Sequence, residues 1–453
     1  GPTSYGDSPY QSFSTYAGNP YFISLEDLID QGLLTEEECK KVKFGNRADT
    51  VDYEKLYNGR FKLLKKAYKK SNIGEKEEFK KFKDENCYWL NDYAMFMAIK
   101  ERFEGRSFDN WAEDIKLRWE YSMEYYKKEL SEEIEFYEFV QYEFYRQWYK
   151  LKKYANDNGI KIIGDIPIYV AYDSADVWSH PELFQMDNDG KPTAVAGCPP
   201  DGFSATGQLW GNPLYRWDYH RNTGYQWWIS RMSYCFRLYD VVRIDHFRGF
   251  DEYFSIPYGD KDARGGHWEK GPGIDLFRKI EQALGWKQVI AEDLGYMTDS
   301  VRHLVYESGF PGMKVLEFAF DSRDSGCASD YLPHNYPENC VAYTGTHDNE
   351  TIVGWWKSIT AAERKLARDY LCDHATPEEE LYKCFISLIM RSAARVCVIP
   401  MQDYMGLDNR FRMNKPSTVG TNWKWRIKKR DLTKKLQKEI YDVTLRYGRK
   451  NWD

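Results

Sequence analysis

Short runs of apolar, β-branched residues that end in polar or charged residues recur along the chain and alternate with helical patterns. Six such runs lie at 160–170, 240–246, 287–295, 313–320, 340–348 and 395–403. Most of them are typical of buried parallel strands. Between them lie helical patterns at 224–239, 273–285 and 298–309, and a helical pair at 360–394. Such alternation restricts the fold to a doubly wound sheet or a barrel.

Acidic residues stand at the carboxyl ends of four of the predicted strands. They are Asp165, Asp245, Glu292 and Asp348. In parallel α/β barrels the active site is built at this end of the strands. We therefore predict an α/β fold of the (β/α)8 type, with these side chains at its mouth.

A closed barrel of this type needs about eight strands, two more than the runs found here. The chain also begins without Met, in the turn-rich loop GPTSYGDSPYQS. We therefore expect that the first two strands and a helix, about 50 residues, precede this sequence in the natural protein. Residues 60–158 lack strand signals and carry Lys, Glu, Tyr and Trp at helical spacing, which predicts a helical insertion. The prediction is one catalytic barrel domain over 1–453, incomplete at its N-terminus.

Composition excludes several classes of function. The net charge of −6 comes from 70 acidic and 64 basic residues that are mixed along the chain, which argues against a nucleic-acid partner. The nine cysteines are odd in number and form no C-x-x-C pair, and no phosphate loop or dinucleotide fingerprint occurs, so we expect no metal and no cofactor. Without a signal peptide or an apolar span of about 20 residues, we expect a cytoplasmic protein with no membrane partner.

The chain is unusually rich in aromatic residues, with 36 Tyr, 16 Trp and 24 Phe. A pyranose ring presents C–H groups on one face and hydroxyls at its edge, which match an aromatic plate flanked by polar side chains. The alternative is that most of these rings pack in the core and between helices. Only the rings in Gly/Pro-rich loops are predicted to be ligand platforms.

The run DVVRIDH carries a paired cation and anion. Strand alternation places Arg243 and Asp245 on one face and Val242 and Ile244 on the other. A guanidinium next to Asp245 favours the charged carboxylate, which a nucleophile attacking an anomeric carbon requires. A structural salt bridge is the alternative interpretation of Arg-x-Asp.

Glu292 follows the apolar run Val289–Ala291, where a partly apolar wall would raise the pKa of its carboxyl group. A general acid that protonates a departing glycosidic oxygen needs such a shift. Asp293 points the other way in a regular strand, and we predict that it is a structural partner.

The third carboxylate, Asp348, lies in the sequence TGTHDNET behind small residues that leave room for a sugar ring. His347 and Asp348 could grip adjacent hydroxyls as the ring distorts. The alternative is that Asp348 or Asn349 caps the helix that follows.

These motifs resemble those of a known family. GPTSYGDSPYQSFSTYAGNPYFI, GDIPIYV, GCPPDGFSATGQLWGNPLY, VRIDHFRGF, IAEDLG, TGTHDNET and PSTVGTNWKWR are similar in kind and order to the 4-α-glucanotransferases of glycoside hydrolase family 77, called amylomaltases or disproportionating enzymes. The resemblance implies an α-amylase-like retaining barrel with Asp245 as nucleophile, Glu292 as acid/base and Asp348 as transition-state stabiliser. Its donors and acceptors would be α-1,4-glucans and maltooligosaccharides.

The resemblance also implies a lid and a set of substrate-binding residues. The loop 197–217 would fold over the glucan, with Gln208, Trp210 and Asn212 near the cleavage point. The composition of the loop supports a lid, because Phe203 and Trp210 offer surfaces that would shield the covalent intermediate from water. Residues that match glucan-contacting positions of the family are Tyr5, Ser8, Tyr10, Asp165, Gln208, Trp210, Asn212, Arg243, His246 and Phe318.

Two alternative functions stay open at the level of the sequence. The same three carboxylates would serve an α-glucan hydrolase, in which water replaces the sugar acceptor. A truncated, noncatalytic glucan-binding protein is the other alternative.

Overall fold

The computed structural model describes residues 1–3, 5–200, 204–295, 297–322 and 328–450, and the side chains of all of these except Tyr5, Ala328 and Ser329. The chain divides into two compact units. The first comprises Gly1–Gly45, Asp52–Val289 and Thr298–Ser308. The second comprises Asn46–Val51, Ile290–Met297 and Gly309–Asp453.

The described part of the first unit is mainly helical. Its α-helices are α1 (Leu25–Asp30), α2 (Glu36–Lys40), α3 (Tyr53–Ser71), α4 (Glu77–Arg102), α5 (Glu113–Lys116), α6 (Glu120–Glu129), α7 (Ser131–Asp157), α8 (Ala175–Ser179), α9 (Trp217–Asn222), α10 (Gln226–Leu238), α11 (Ile274–Leu284) and α12 (Asp299–Ser308). Its strands are β1 (Ile163–Pro167), β2 (Ala194–Cys198), β3 (Gln208–Pro213), β4 (Val241–Asp245), β5 (Glu252–Pro257) and β6 (His267–Lys270), and β7 (Val289–Ala291) begins at its last residue.

Parallel pairing in the first unit places two predicted strand ends next to each other. Strand β1 pairs in parallel with β4, with Asp165 opposite Arg243 and Pro167 opposite Asp245. Val242 and Ile244 are fully buried, and the contact of Arg243 with Asp245 places the latter two side chains on one face of β4, as predicted. The Val242 amide donates to the Gln288 carbonyl (3.0 Å), just before β7 begins.

The second unit contains the remaining parallel strands. They are β8 (Gly312–Val315), β9 (Cys340–Tyr343) and β10 (Val396–Val398), in the order β10-β9-β8. Its helices are α13 (Ile352–Ser358), α14 (Ala361–Leu371), α15 (Leu381–Met390), α16 (Met401–Tyr404) and α17 (Lys434–Arg446). The Ala291 amide, at the end of β7, donates to the Pro311 carbonyl (3.0 Å). All six strands predicted from the sequence are therefore present, as are the helices predicted between them.

Residues 60–158 form helices and no strand, and all of them are described. Helices α4 and α7 pack against each other through aromatic rings, with Phe79 on Tyr142 and Trp89 on Tyr145. The largest fully buried side chains are mostly aromatic and include Trp178, Trp228, Tyr93 and Tyr145, so for these rings the packing alternative is correct. Gln141 of α7 accepts from the Gly18 amide (2.7 Å) and donates to the Gly18 carbonyl (3.0 Å), which anchors the opening loop of the chain.

An antiparallel sheet in the first unit was missed by the sequence analysis. Its order is β3-β2-β5-β6, and part of the segment 197–217, predicted as a loop, is in fact strand β3. The register of β2 against β3 shifts between Val195 and Gly197. Glycine-rich composition and this shift conceal the two-residue alternation that marks a strand. The predicted loop is a hairpin, of which residues 201–203 lie outside the described part.

The hairpin depends on the absence of a side chain at Gly197. A Cβ atom there would collide with the Gln208 carbonyl oxygen of the neighbouring strand. We expect Gly197→Ala to lower the free energy of unfolding by about 1–3 kcal/mol, because β3 must move away from β2. Urea unfolding and limited proteolysis of the hairpin would measure the effect.

Gly32→Ala is the matched control. Gly32 has φ of +73° and open space around its Cβ position, so only the conformational cost of about 1 kcal/mol applies. Equal stability losses in the two variants, with no new cleavage in the β2–β3 hairpin, would contradict the proposed clash.

Candidate active site

Arg243 is the centre of a charged cluster in the first unit. Its guanidinium is 7% exposed, and its Nη1 donates to both carboxylate oxygens of Asp165 (2.7 and 2.8 Å) and to Oδ1 of Asp245 (3.0 Å). The pairing of β1 with β4 produces this arrangement, because it sets Asp165 opposite Arg243 while Asp245 lies two residues further along the same strand. The predicted contact between Arg243 and Asp245 is present.

The opening loop of the chain reaches the same cluster. The Tyr10 hydroxyl donates to Oδ2 of Asp165 (2.7 Å), and the Ser8 hydroxyl accepts from the Tyr10 amide (3.3 Å). The structure therefore brings Tyr10 and Ser8 together with Asp165, and their contact with glucan stays a prediction. The side chain of Tyr5 lies outside the described part of the chain.

Strand β3 contributes a second group of predicted residues. The Trp210 ring lies edge-on to the His246 ring, with 4.8 Å between centroids, and its indole N–H donates to Oε1 of Gln208 (3.0 Å). Asn212 is 6% exposed, and its amide donates to the Val170 carbonyl (2.7 Å). Tyr169, which the sequence analysis did not single out although it lies in the GDIPIYV motif, has its ring 6.3 Å from Trp210 and 6.4 Å from His246.

His246 directly follows Asp245 and has a left-handed backbone conformation, with φ of 54° and ψ of 47°. Few residues other than glycine adopt this conformation, which costs about 1–2 kcal/mol of conformational free energy. Strain of this size is common in turns at functional sites. Burial, helped by the nearby Arg248 charge, lowers the pKa of His246 to about 3. The imidazole is therefore neutral at physiological pH.

In the second unit, Glu292 and Asp293 diverge after β7, as predicted. The Leu294 amide donates to Oε1 of Glu292 (2.9 Å), while Oδ1 of Asp293 accepts from the Met313 amide (2.6 Å) at the start of β8. A Cβ on Gly312 would collide with the Asp293 carboxylate, so this strand start is shaped around it. Asp293 is a structural partner, and the backbone before Glu292 is buried at Ile290 and Ala291.

In the second unit, the rings of Phe318 and Tyr331 contact each other, and the Glu292 charge acts on Tyr331. The ring of Phe318 packs edge-on against that of Tyr331, with centroids 5.3 Å apart. Burial, with the charges of Asp293 and Glu292, raises the pKa of the Tyr331 hydroxyl. Phe318, which the resemblance assigned to the reactive subsite, therefore contacts a tyrosine that experiences the field of Glu292.

Asp348 is held from both its backbone and its side chain. The Asn414 side-chain amide donates to Oδ1 of Asp348 (2.6 Å), and Arg412 donates to the Asp348 carbonyl (2.5 Å). Nε2 of His347 lies 3.4 Å from Oδ2 of Asp348. Thr351 caps α13 by accepting from the Gly354 amide (3.1 Å), so the capping alternative for Asp348 and Asn349 is wrong.

Two carboxyl groups are buried behind the segment that carries Asp348. Asp403 is fully buried and accepts from the Thr344 hydroxyl (2.5 Å) and the Ile352 amide (2.8 Å). Glu317 is 8% exposed, and its Oε1 has no hydrogen-bond partner within the described residues. A Cβ on Gly345 would lie 2.7 Å from that oxygen. The small residues before Asp348 thus accommodate these carboxyl groups, while the room predicted there for a sugar ring stays a prediction.

Both buried carboxyl groups resist ionisation. Burial raises the pKa of Asp403 to about 6. Burial, together with the charges of Asp403 and Glu350, raises the pKa of Glu317 well above its usual range. The sequence carried little signal for either group, since their burial depends on contacts between segments that are far apart in the chain.

The site residues fall into both units. Asp245 lies in the first unit, whereas Glu292 and Asp348 lie in the second, and the convergence of the three on one sugar ring stays a prediction. Phe203, predicted as a lid residue, lies outside the described residues. The helices that the structure describes include none long and apolar enough to cross a membrane. Within the same residues, no group of three or more His, Cys, Asp or Glu side chains is arranged to hold a metal ion.

The raised pKa of Asp403 predicts a pH-dependent stability. From about pH 4 to about pH 6 the unfolded chain ionises at Asp403 while the folded chain keeps its proton, so the free energy of unfolding falls as pH rises. Two pKa units correspond to about 3 kcal/mol. We expect the stability of Asp403→Asn, relative to the wild type, to rise by about this amount between pH 4 and pH 7 in urea titrations.

Asp408→Asn is the control, because the pH dependence of its stability relative to the wild type should have the opposite sign. Arg410 lowers the pKa of the Asp408 carboxyl group, so that variant should lose relative stability as pH rises from acid to neutral. A constant stability difference between Asp403→Asn and the wild type over this range would show that Asp403 ionises normally in the folded chain.

The comparisons with known proteins show the family of this chain. A sequence profile of family 77 of the glycoside hydrolases, described as 4-alpha-glucanotransferase, matches residues 1–433. A 4-alpha-glucanotransferase from Clostridium butyricum is 47% identical over 451 residues, which cover 99% of this chain and 92% of that protein. One from Streptococcus pneumoniae is 46% identical over 454 residues, 100% of this chain and 89% of that protein.

Solved structures give the same result. The amylomaltase from Streptococcus agalactiae in complex with acarbose superposes with a TM-score of 0.95 at 42% identity, over 99% of this chain and 90% of that one. The amylomaltase from Corynebacterium glutamicum matches with a TM-score of 0.76 at 20% identity, over 98% of this chain and 67% of that one, and supports the fold alone. The fold is accordingly α/β and TIM-barrel-like, and the chain belongs to the 4-alpha-glucanotransferase family, glycoside hydrolase family 77.

Proposed function

We propose that the chain is a 4-α-glucanotransferase that moves α-1,4-glucan segments between maltodextrin chains through a covalent glucosyl-enzyme intermediate. Membership of the family supports the activity. The observation that carries the residue assignment is the contact of Arg243 with Asp165, which lies in the middle of β1 and not at its predicted carboxyl end, and with Asp245, which lies at the carboxyl end of β4. Active sites of barrel enzymes occupy this end of the strands.

Asp245 acts as the nucleophile in the first half of the reaction. A carboxylate oxygen attacks the anomeric carbon of the donor, the glycosidic bond breaks, and a glucosyl ester forms. Arg243 favours the ionised form of Asp245 and fixes its orientation, because its guanidinium is buried and also held by Asp165. In this proposal the same salt bridge stabilises the strand pair and prepares Asp245 for catalysis.

Glu292 acts as acid and then as base. As acid it gives its proton to the departing glycosidic oxygen, so the leaving chain departs with a new hydroxyl. In the second half the resulting carboxylate removes a proton from an acceptor 4-hydroxyl, which attacks the ester and releases Asp245. The Leu294 amide on Oε1 and the buried backbone behind it orient the carboxyl group for both steps.

Asp348 stabilises the distorted ring of the transition state. Asn414 and Arg412 hold the residue, and His347 lies beside its carboxylate. A neighbouring pair of hydrogen-bonding groups is suited to adjacent hydroxyls of one sugar, whose hydrogen bonds strengthen as the ring flattens.

The β2–β3 hairpin, which overlaps the segment 197–217, acts as the lid. It carries Gln208 and Trp210 beside the neutral His246, and a neutral imidazole can exchange hydrogen bonds with hydroxyls without attracting ions. By covering the ester, the hairpin would keep water away until an acceptor sugar arrives. Ser8 and Tyr10 of the opening loop, with Asn212 and Phe318, complete the glucan contacts.

We also propose the finer architecture of the barrel. The parallel strands belong to an eight-stranded barrel of the α-amylase kind, in one catalytic domain over 1–453, and 60–158 form a helical insertion on it. The short parallel pairings among the described strands and the purely helical content of 60–158 support this arrangement.

Incubation with maltotriose tests the activity. We expect glucose together with a ladder of longer maltodextrins, because a second maltotriose acts as acceptor. Chromatography of the products measures the ladder. Products no longer than maltotriose would identify a hydrolase, and binding without any product would identify a noncatalytic glucan-binding protein.

Asp245→Asn tests the nucleophile. The amide can still accept from Arg243, so the fold should persist while kcat for maltotriose falls by about 10³-fold or more. Asp189→Asn, at an exposed turn, is the matched control and should keep the wild-type rate. A near-normal rate in Asp245→Asn would remove this residue from the role of nucleophile.

A further inference from the structure

Three aromatic rings form an exposed row at the start of helix α6, outside the residues assigned to the reaction. They are Trp119, Tyr121 and Tyr125, hereafter the aromatic row, and they are 45%, 61% and 59% exposed. Trp119 and Tyr121 have ring centroids 6.0 Å apart. Tyr121 and Tyr125 lie one helical turn apart on the same face, with a rise of about 6 Å between them.

The backbone that carries the aromatic row is fixed by contacts of neighbouring side chains. Arg118, next to Trp119, donates to Oδ1 of Asp92 (2.6 Å), and its guanidinium lies 4.3 Å from the centroid of the buried Trp178 ring. The adjacent face of α6 is packed, because Ser122 is 2% exposed and donates to the Asp114 carboxylate. The rings are thus presented on a fixed helix rather than on a mobile loop, so little conformational freedom remains to be lost on binding.

The surroundings of the row are polar and nearly neutral in charge. Glu124 and Lys128 flank the face that carries Tyr121 and Tyr125, and both are exposed. Neither forms an ion pair within the part of the chain that the structure describes. Their charged ends are therefore free to exchange hydrogen bonds with hydroxyl groups at the edge of a ring stacked on the tyrosines.

The size and chemistry of the row select among possible partners. A stable dimer buries about 800 Å² per partner, whereas three half-exposed rings of about 150–250 Å² each offer roughly 200–400 Å². Tyrosine and tryptophan with polar tips, and no exposed Leu, Ile or Phe on the helix, suit a ligand that is apolar on its faces and hydroxylated at its edge. A chain of pyranose rings has this character.

We propose that the aromatic row is a second α-1,4-glucan-binding site, which holds a polymeric substrate by stacking successive glucose units on Trp119, Tyr121 and Tyr125. This inference rests on the proposed function for its substrate class. A glucan held at the row has a raised effective concentration at the reactive site. The gain applies to long glucans, which can reach both sites, and not to maltotriose.

The triple variant Trp119→Ala, Tyr121→Ala, Tyr125→Ala tests the proposal. In the inactive Asp245→Asn background, affinity electrophoresis in gels containing soluble starch should show a Kd raised by about tenfold. In the active chain, KM for amylose should rise by a similar factor, while kcat and KM for maltotriose stay within about twofold. Maltotriose kinetics thus report on the reaction separately from the row.

Two further variants sharpen the test. The double variant Tyr121→Phe, Tyr125→Phe keeps the ring faces and should therefore keep most of the starch affinity. If the tyrosine hydroxyls alone bound the glucan, this variant would lose that affinity. Trp286→Ala with Tyr306→Ala removes two exposed rings of the first unit, 68% and 84% exposed, and should change nothing.

Three results would overturn the proposal. The first is unchanged migration of the triple variant in starch gels. The second is an equal loss of activity towards amylose and maltotriose, which would indicate damage to the reactive site. The third is a change of mass in sedimentation experiments without a change in starch affinity, which would identify the row as a contact between copies of this chain.

Discussion

The predicted chemistry depends on the contacts of the Arg243 guanidinium with two carboxylates. It is almost fully buried and contacts Asp165 on one strand and Asp245 on its own strand. A buried cation without its carboxylates would be strongly unfavourable, so the two strands must keep the register that sets Asp165 opposite Arg243. That register also fixes the direction of Asp245 and the place at which the Tyr10 hydroxyl meets Asp165. The contact that stabilises the strand pair thus also orients Asp245, the nucleophile that we propose.

The second unit uses a different device to hold its carboxylate. Asp348 receives hydrogen bonds from Asn414 and Arg412, while the segment before it lies over Glu317 and Asp403. Burial disfavours the charged form of these two acids and therefore reduces stability at neutral pH. Asp403 recovers part of that loss by accepting from Thr344 and Ile352, which tie β9 and α13 together. The stability given up is localised behind the residue that we assign to transition-state stabilisation, a location where such losses are common.

Aromatic side chains serve two different purposes in this chain. Within the first unit, rings such as Trp178 and Trp228 are fully buried and fill the space between helices. On α6 and β3, other rings stand at least partly exposed beside polar side chains, as Trp210 does next to Gln208 and His246. Composition alone could not separate these groups, because burial depends on which helix face meets a neighbour.

The local sequence by itself determined six of the strands and the helices between them, the alternation that pairs Arg243 with Asp245, and the structural part played by Asp293. These features depend on periodicity and on nearest neighbours, which a single sequence displays. Only the tertiary structure decided that β3 is a strand and that Gly345 makes room for Glu317. Each of these depends on segments distant in the chain meeting at one register, and contacts of that kind leave no periodic signal in the sequence.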